Sequence, residues 1–262
     1  MKLKFKKLFS SWQEIYPPWP DGSSVLFFQE FWETMKIDVM DLLFELHNDN
    51  LKLKIKFKLC LCCVDPKSGG GSFFFSKFMP ISLLNIVSKI VTKVLTTVLN
   101  AKLDELIDPF QSGFIKSRFI LDVLLLHKEL ISNCFGYNLK GDTLLKLDCA
   151  KAYDMLNWDF LFEVMSARKS GDKWMNWMNI CLQPGKSHIL INGNPRRIIC
   201  LKGGLRQGDP LSSLLFVLAV DSFTKMLNMT VRNSILEGLG LKDFKIKWRV
   251  FSMQMYSFIL QE

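Results

Sequence analysis

Lys146-Leu147-Asp148-Cys149-Ala150-Lys151-Ala152-Tyr153-Asp154 closes a short apolar run, Thr143–Asp148, with an acid. Such a run predicts a buried strand ending in a carboxylate. A charge in that place is costly unless something satisfies it, and a divalent metal is one such partner. Taken alone, the pattern is equally a strand end that caps the next helix.

A second segment, Gly203-Gly204-Leu205-Arg206-Gln207-Gly208-Asp209-Pro210-Leu211-Ser212-Ser213, lies further along the chain. A glycine-rich strand-to-helix turn lets backbone approach a flat or phosphorylated ligand closely. Gln207 offers such a ligand both a donor and an acceptor. Pro210 suits the first turn of a helix, here expected to run to about Leu227. Just upstream, Ser187–Ile191 and Arg197–Leu201 flank Asn192-Gly193-Asn194-Pro195, the strongest hairpin signal in the chain.

Outward from these segments, apolar spacing predicts one helix or two short ones over Val25–Leu46. It also predicts a long amphipathic helix over Leu83–Leu106, with Ile86, Val87, Ile90, Val94, Leu95, Val98 and Leu99 as its stripe. Further helices are expected at Phe119–Ile131, Trp158–Arg168 and Trp174–Leu182. From Leu51 the chain alternates Lys52, Lys54, Lys56 and Lys58 with apolar residues, the period of a strand with one basic, wet face. Gly69-Gly70-Gly71 marks a turn. Strands mixed with long helices, without regular alternation, indicate an α+β fold.

Of the 262 residues 49% are hydrophobic and 23% charged, which excludes a disordered chain. The net charge of +9 favours a polyanionic partner, nucleic acid before a membrane surface. Met1–Trp12 carries four lysines with no apolar stretch behind them, so it is not a secretory signal, and no transmembrane helix is expected. Seven cysteines without such a signal suggest reduced thiols inside a cell. Cys60, Cys62 and Cys63 lack zinc-ribbon spacing and read as small hydrophobes in a strand.

The segments around Asp148 and Gln207 resemble motifs A and B of reverse transcriptases from LINE-type (non-LTR) retrotransposons. Trp158-Asp159-Phe160-Leu161 also matches that family. The likeness extends backwards through Pro18-Trp19-Pro20-Asp21-Gly22, Phe28-Gln29-Glu30-Phe31-Trp32, Pro66-Lys67 and Phe78-Met79-Pro80-Ile81-Ser82-Leu83. Gln111-Ser112-Gly113-Phe114, Arg118 and Asp122 fit the next block. These boxes keep the family's order over residues 17–230, a far more specific signal than any one of them.

The resemblance implies a right-hand polymerase that copies RNA into DNA by extending a primer with deoxynucleotides, using two Mg2+ ions. Residues 1–140 would form the N-terminal and fingers region, 141–230 a partial palm, and 231–262 a divergent tail. By similarity Asp148 is the motif A catalytic residue and metal ligand. Tyr153 is the steric gate against a ribose 2′-hydroxyl, Gln207 and Gly208 position the nucleotide, and Lys67 touches its triphosphate. Asp154 reads as a helix cap. RNA template and DNA primer are the implied partners, with no membrane, and the nucleus is the implied location.

Two departures stand out. Met79 replaces the family's arginine, removing a charge-assisted contact to the triphosphate. No aromatic-Ala-Asp-Asp run, the motif C hairpin, occurs between Met229 and Glu262, and no thumb follows. One carboxylate cannot do the work of three in a two-metal site, so the chain is expected to be inactive. A non-catalytic nucleic-acid-binding remnant and a decayed element without function are the alternative readings. Met253-Gln254-Met255 can be encoded so that a neighbouring frame reads Tyr-Ala-Asp, the start of the missing box, although the second aspartate is not recovered. A frameshift upstream of Met253 is therefore expected. Reading the gene through Met253 in all three frames checks it: Tyr-Ala-Asp should appear in the adjacent frame, and its absence removes the frameshift.

Overall fold

The structure is a computed structural model that describes residues 25–48, 60–66, 78–109, 111–116, 118–122, 124–125, 128–129, 132, 149, 151–182, 186–191, 194–233 and 235. For residues 25, 60–66, 78–80, 186, 191, 195 and 231 the description concerns backbone only. The contacts divide into two compact units, Met1–Thr96 with Tyr153–Ser212 and Thr97–Ala152 with Ser213–Glu262.

In the first unit, the Val25–Leu46 stretch makes two helices, α1 (Val25–Glu30) and α2 (Trp32–His47). They part at Phe31, whose φ of −94° and ψ of 25° leave the helical basin, although its N–H still reaches the Phe27 carbonyl at 3.0 Å. The apolar stripe survives the break. Phe28, Trp32 and Val39 form one buried cluster with Ile86 and Ile90, and Met35, Leu43 and Val87 pack against it. The C-terminal end of α2 is fastened by the Trp177 indole N–H, which donates to the Leu46 carbonyl at 3.1 Å.

Strands β1 (Cys60–Pro66) and β2 (Phe78–Leu84) follow, then α3 (Ile86–Leu106). The expected helix over Leu83–Leu106 therefore begins three residues later. Leu83 and Leu84 are claimed by antiparallel pairing with Leu61 and Cys60. Asn85 then caps the helix, its side-chain oxygen accepting the Ser88 N–H at 2.8 Å. The buried stripe runs through Ile86, Ile90, Val91, Leu95, Leu99 and Leu103, whereas Val98 is 48% exposed. Val91 had to be in that stripe and Val98 out of it. Thr92 and Thr96 are buried on the same helix because each hydroxyl donates back to a carbonyl of the preceding turn, Thr96 to Thr92 at 2.7 Å.

Next come α4 (Trp158–Ala167), α5 (Asp172–Leu182), β3 (Lys186–Ile191) and β4 (Asn194–Cys200). Asn157 caps α4 by accepting the Phe160 N–H at 3.2 Å. The four strands form one mixed sheet in the order β2-β1-β3-β4, with β1 parallel to β3 and both outer pairs antiparallel. One face carries the buried Ser82, Leu84 and Ser187. The register places Leu83, Leu61, His188 and Ile198 in a row on the other, where Leu83 and Ile198 are exposed. The hairpin forms as expected but is tighter than read, because Ile191 already pairs with Asn194. Its ladder slips between Ile189 and Leu190, opposite Pro195, which has no N–H to give.

Helix α6 (Pro210–Arg232) starts at the proline as expected and runs five residues past Leu227, with no glycine or proline before Gly238 to stop it. Its Pro210–Thr230 stretch is long and apolar enough to cross a membrane, yet 61% of that window is buried inside the protein, as in a core helix. Within Phe119–Ile131, the described positions 120–122, 124–125 and 128–129 are helical. The expected strand at Thr143–Asp148 lies outside the described residues, as does the lysine-rich part of the strand read over Leu51–Cys63, whose last residues, Cys60–Cys63, belong to β1.

The second unit is bolted by Asp221, which is fully buried on α6. Its carboxylate accepts the Asp108 N–H at 2.7 Å and pairs with Lys225 at 3.1 Å, while Lys225 also donates to the Leu106 carbonyl at 3.1 Å. The end of α3 is thus capped by side chains rather than by solvent. Arg118 fastens the next loop, donating to the Gln111 carbonyl at 2.6 Å and pairing with Asp104 at 3.5 Å. Asp221→Ala should lower the unfolding free energy by about 2 kcal/mol, because the part-buried Asp108 N–H loses its charged acceptor. Lys225→Met, at an exposed cation, should cost less than about 1 kcal/mol. Denaturant melts of both variants check the contrast, and equal losses would contradict it.

Candidate functional site

Two consecutive backbone N–H groups start the site. Gly204 donates to the Leu156 carbonyl and Leu205 to the Tyr153 carbonyl, each at 2.7 Å. This pair lashes the glycine-rich loop to the segment Tyr153–Leu156, shortly after Asp148 in sequence. Gly204 has φ +79°, and a Cβ there would lie 2.8 Å from the Asp154 carbonyl oxygen. Only glycine meets both conditions. The Trp158 indole then donates to the Gly204 carbonyl at 2.7 Å, so the first residue of α4 holds the loop from its other side.

The loop's far end is held by β2. Ser82 donates its N–H to the Gln207 carbonyl at 2.9 Å, and Gly208, at φ +98°, passes so close that a Cβ would lie 3.1 Å from the Ser82 carbonyl. Three sequence boxes, at Ser82, at Tyr153–Leu156 and at Gly204–Gly208, therefore meet in one unit.

Between them, Arg206 and Asp209 do structural work that sequence reading left unassigned. Arg206 is buried and donates to the Cys181 carbonyl at 2.8 Å, in the last turn of α5, where a cation also complements the helix dipole. One of its other nitrogens, Nη2, is buried without a hydrogen-bond partner among the described residues. Asp209 caps α6, its carboxylate accepting the Leu211 N–H at 3.0 Å. Burial pushes the Asp209 carboxyl above its usual range, against the capping bond, Arg206, a bond from the Thr92 side chain and Lys89. Burial first, and the Asp209 charge second, push the Cys181 thiol up to about 12, so it is inert as a nucleophile at neutral pH. The signal for Asp209 was present in the sequence: an acid directly before a helix-starting proline reads as an N-cap. Nothing local pointed Arg206 at Cys181.

Of the residues singled out from sequence, Tyr153, Gln207 and Gly208 belong to this assembly. Tyr153 is half-buried, and that burial raises its phenol's pKa, so the ring stays neutral. Gln207 is half-buried and Gly208 exposed, on a loop whose backbone is held at both ends. Asp148 and Lys67 lie outside the described residues, and Met79 is described by backbone only. Among the described residues no group of three His, Cys, Asp or Glu side chains could hold a metal ion.

The family profile described as reverse transcriptase (RNA-dependent DNA polymerase) matches residues 66–249. The chain belongs to the reverse transcriptase family. It is similar to a protein of transposon TX1 from Xenopus laevis, 28% identical over 228 residues, which is 86% of this chain and 17% of that protein. It is also similar to a Pol polyprotein of the type-1 retrotransposable element R2 from Popillia japonica, 29% identical over 92 residues, 34% of this chain and 15% of the polyprotein. These likenesses mark a reverse transcriptase domain of a LINE-type, non-LTR element, as the order of boxes implied. The chain spans less than a fifth of either relative's length.

The reverse transcriptase loop should tolerate no side chain at Gly204. Gly204→Ala is expected to cost at least about 3 kcal/mol, combining a left-handed backbone with a backbone clash. Gly171→Ala, with nothing within 4 Å of its Cβ position and no positive φ, is the control and should cost less than about 1 kcal/mol. Thermal or denaturant unfolding of the two variants decides the point, and equal stability would refute the fit described here.

Proposed function

We propose that this chain handles the incoming nucleotide and template for RNA-directed DNA synthesis by a non-LTR retrotransposon, and that on its own it does not polymerise. The observation that supports this reading is the double clamp on one loop. Ser82 holds the Gln207 carbonyl while Tyr153 and Leu156 hold Leu205 and Gly204. Backbone fixed at both ends leaves the Gln207 amide and the open Gly208 as a preorganised surface for a flat ligand, at little entropic cost on binding.

On this reading residues 1–140 are fingers with an N-terminal extension, 141–230 a partial palm, and 231–262 a divergent tail. Tyr153 excludes a 2′-hydroxyl, Gln207 and Gly208 position the base and sugar, and Lys67 meets the triphosphate. Asp148 is the carboxylate for Mg2+. The divalent ions of this family supply charge stabilisation of the transferring phosphoryl group. RNA template, DNA primer and deoxynucleotides are the partners, and the nucleus is the place of action.

The sequence after α6 supports the second half of this reading. Met229–Glu262 holds no aromatic-Ala-Asp-Asp run, so within these 262 residues Asp148 would work without that carboxylate pair. Given an RNA template with a DNA primer, deoxynucleotides and Mg2+ or Mn2+, the purified chain should not extend the primer above background, and Asp148→Ala should leave that background unchanged. Deoxynucleotide binding is a separate readout. Quenching of tryptophan fluorescence by a deoxynucleoside triphosphate should weaken about tenfold in Gln207→Ala, equivalent to about 1.4 kcal/mol. Primer extension abolished by Asp148→Ala would overturn the inactivity. Unaltered nucleotide binding in Gln207→Ala would overturn the assignment of that residue.

A further inference from the structure

The hairpin that feeds the Gly204 loop carries a charge pattern the nucleotide site does not use. From Lys186 to Lys202 the sequence holds Lys186, Arg196, Arg197 and Lys202, and no aspartate or glutamate. Strand β4 is the last in the sheet order, so one side of its backbone has no neighbouring strand among the described residues. The register passes from Ile189↔Arg197 to Leu190↔Pro195, which leaves Arg196 unpaired as a β-bulge at this edge. In a plain strand, neighbouring side chains point to opposite faces, and a bulge interrupts that alternation. Arg196, Arg197 and Lys202 are all exposed, and none has an ion-pair partner among the described residues.

Charge on an edge strand also guards against pairing with another chain. That guard needs a charge, not two consecutive arginines with no acid in the hairpin. Like charges in one short stretch repel, and a bound polyanion lowers that repulsion. Arginine is the side chain whose planar fork suits phosphate oxygens, and an open strand edge adds unpaired N–H donors.

We propose that the β4 edge, through Arg196, Arg197 and Lys202, is a landing surface for the sugar-phosphate backbone of the nucleic acid this chain carries. The identity of the polyanion rests on the polymerase reading above; the surface itself rests on the bulge, the edge and the charge. The contact is sequence-independent and lies on the hairpin leading into the nucleotide loop, so it would grip strand rather than read bases.

The test is fluorescence anisotropy of the whole chain with a labelled single-stranded RNA oligonucleotide across a salt series. Arg196→Gln with Arg197→Gln removes two phosphate contacts, so the slope of log affinity against log salt should become shallower by about 1.4. Lys202→Gln alone should reduce it by about 0.7, a second variant that stands if the first does not fold. Arg196→Lys with Arg197→Lys should keep the wild-type slope. Salt-dependent wild-type binding with the same slope in every glutamine variant overturns the surface and leaves the polymerase reading intact. Absence of salt-dependent binding by the wild type overturns both. Competition by polyglutamate as effective, per charge, as unlabelled RNA overturns the assignment to nucleic acid.

Discussion

The missing side chain at Gly204 is the constraint on which the first unit depends. With a Cβ placed 2.8 Å from the Asp154 carbonyl, the loop could not lie against the turn, and the bonds from Gly204 and Leu205 to Leu156 and Tyr153 would be lost together. The Trp158 indole would then have no Gly204 carbonyl at 2.7 Å to hold. Because the same loop also meets Ser82 through Gln207, a disturbance at Gly204 reaches β2 within four residues of chain. Contacts between segments so distant in sequence carry a large closure entropy, which this close approach of backbone to backbone must offset.

Buried charge fixes the ends of helices in both units, with different energetics. Asp221 is buried, yet it caps a backbone N–H and meets Lys225, so its charge is met from two directions. Asp209 is met by a capping bond, the Thr92 side chain and Arg206, and burial still wins, raising its pKa. A carboxyl raised in the folded state subtracts from stability when ionised. The penalty is absent below the unfolded-state pKa and present in full above the folded-state value, so this position favours folding more at acid pH than at neutral pH. Its retention in the loop is better explained by geometry than by stability, since its carboxylate fixes the start of α6 through the Leu211 N–H while Arg206 ties the same loop to the end of α5.

Local patterns made most elements legible. Pro210 announced α6, Asn192-Gly193 announced the hairpin, and the apolar spacing of Val25–Leu46 announced two helices as one of two options. Pattern failed where tertiary pairing competes with it. Leu83 and Leu84 fit a helical stripe as well as a strand, and the partner β1 decides for the strand. Val98 fits the same stripe by counting, yet Val91 and Leu95 set the phase and turn it outward. In the site, the boxes were legible as an ordered series, whereas their meeting was not, because a Ser82–Gln207 bond leaves no periodic trace. Arg206 was hidden for the same reason, its partner being the end of a helix that sequence gives no cause to place there.

The parallel pairing of β1 with β3 has a bearing on how the protein is made. Strand β1 ends at Pro66 and β3 begins at Lys186, so roughly 120 residues must be synthesised before the sheet gains its central pairing, about 6 to 24 seconds at ribosomal speed. Throughout that interval the nascent β1–β2 pair presents an unsatisfied edge, the kind of template on which chains aggregate. A sheet assembled from both ends of its chain makes the speed of translation, and any chaperone waiting at the tunnel exit, part of the conditions for its folding.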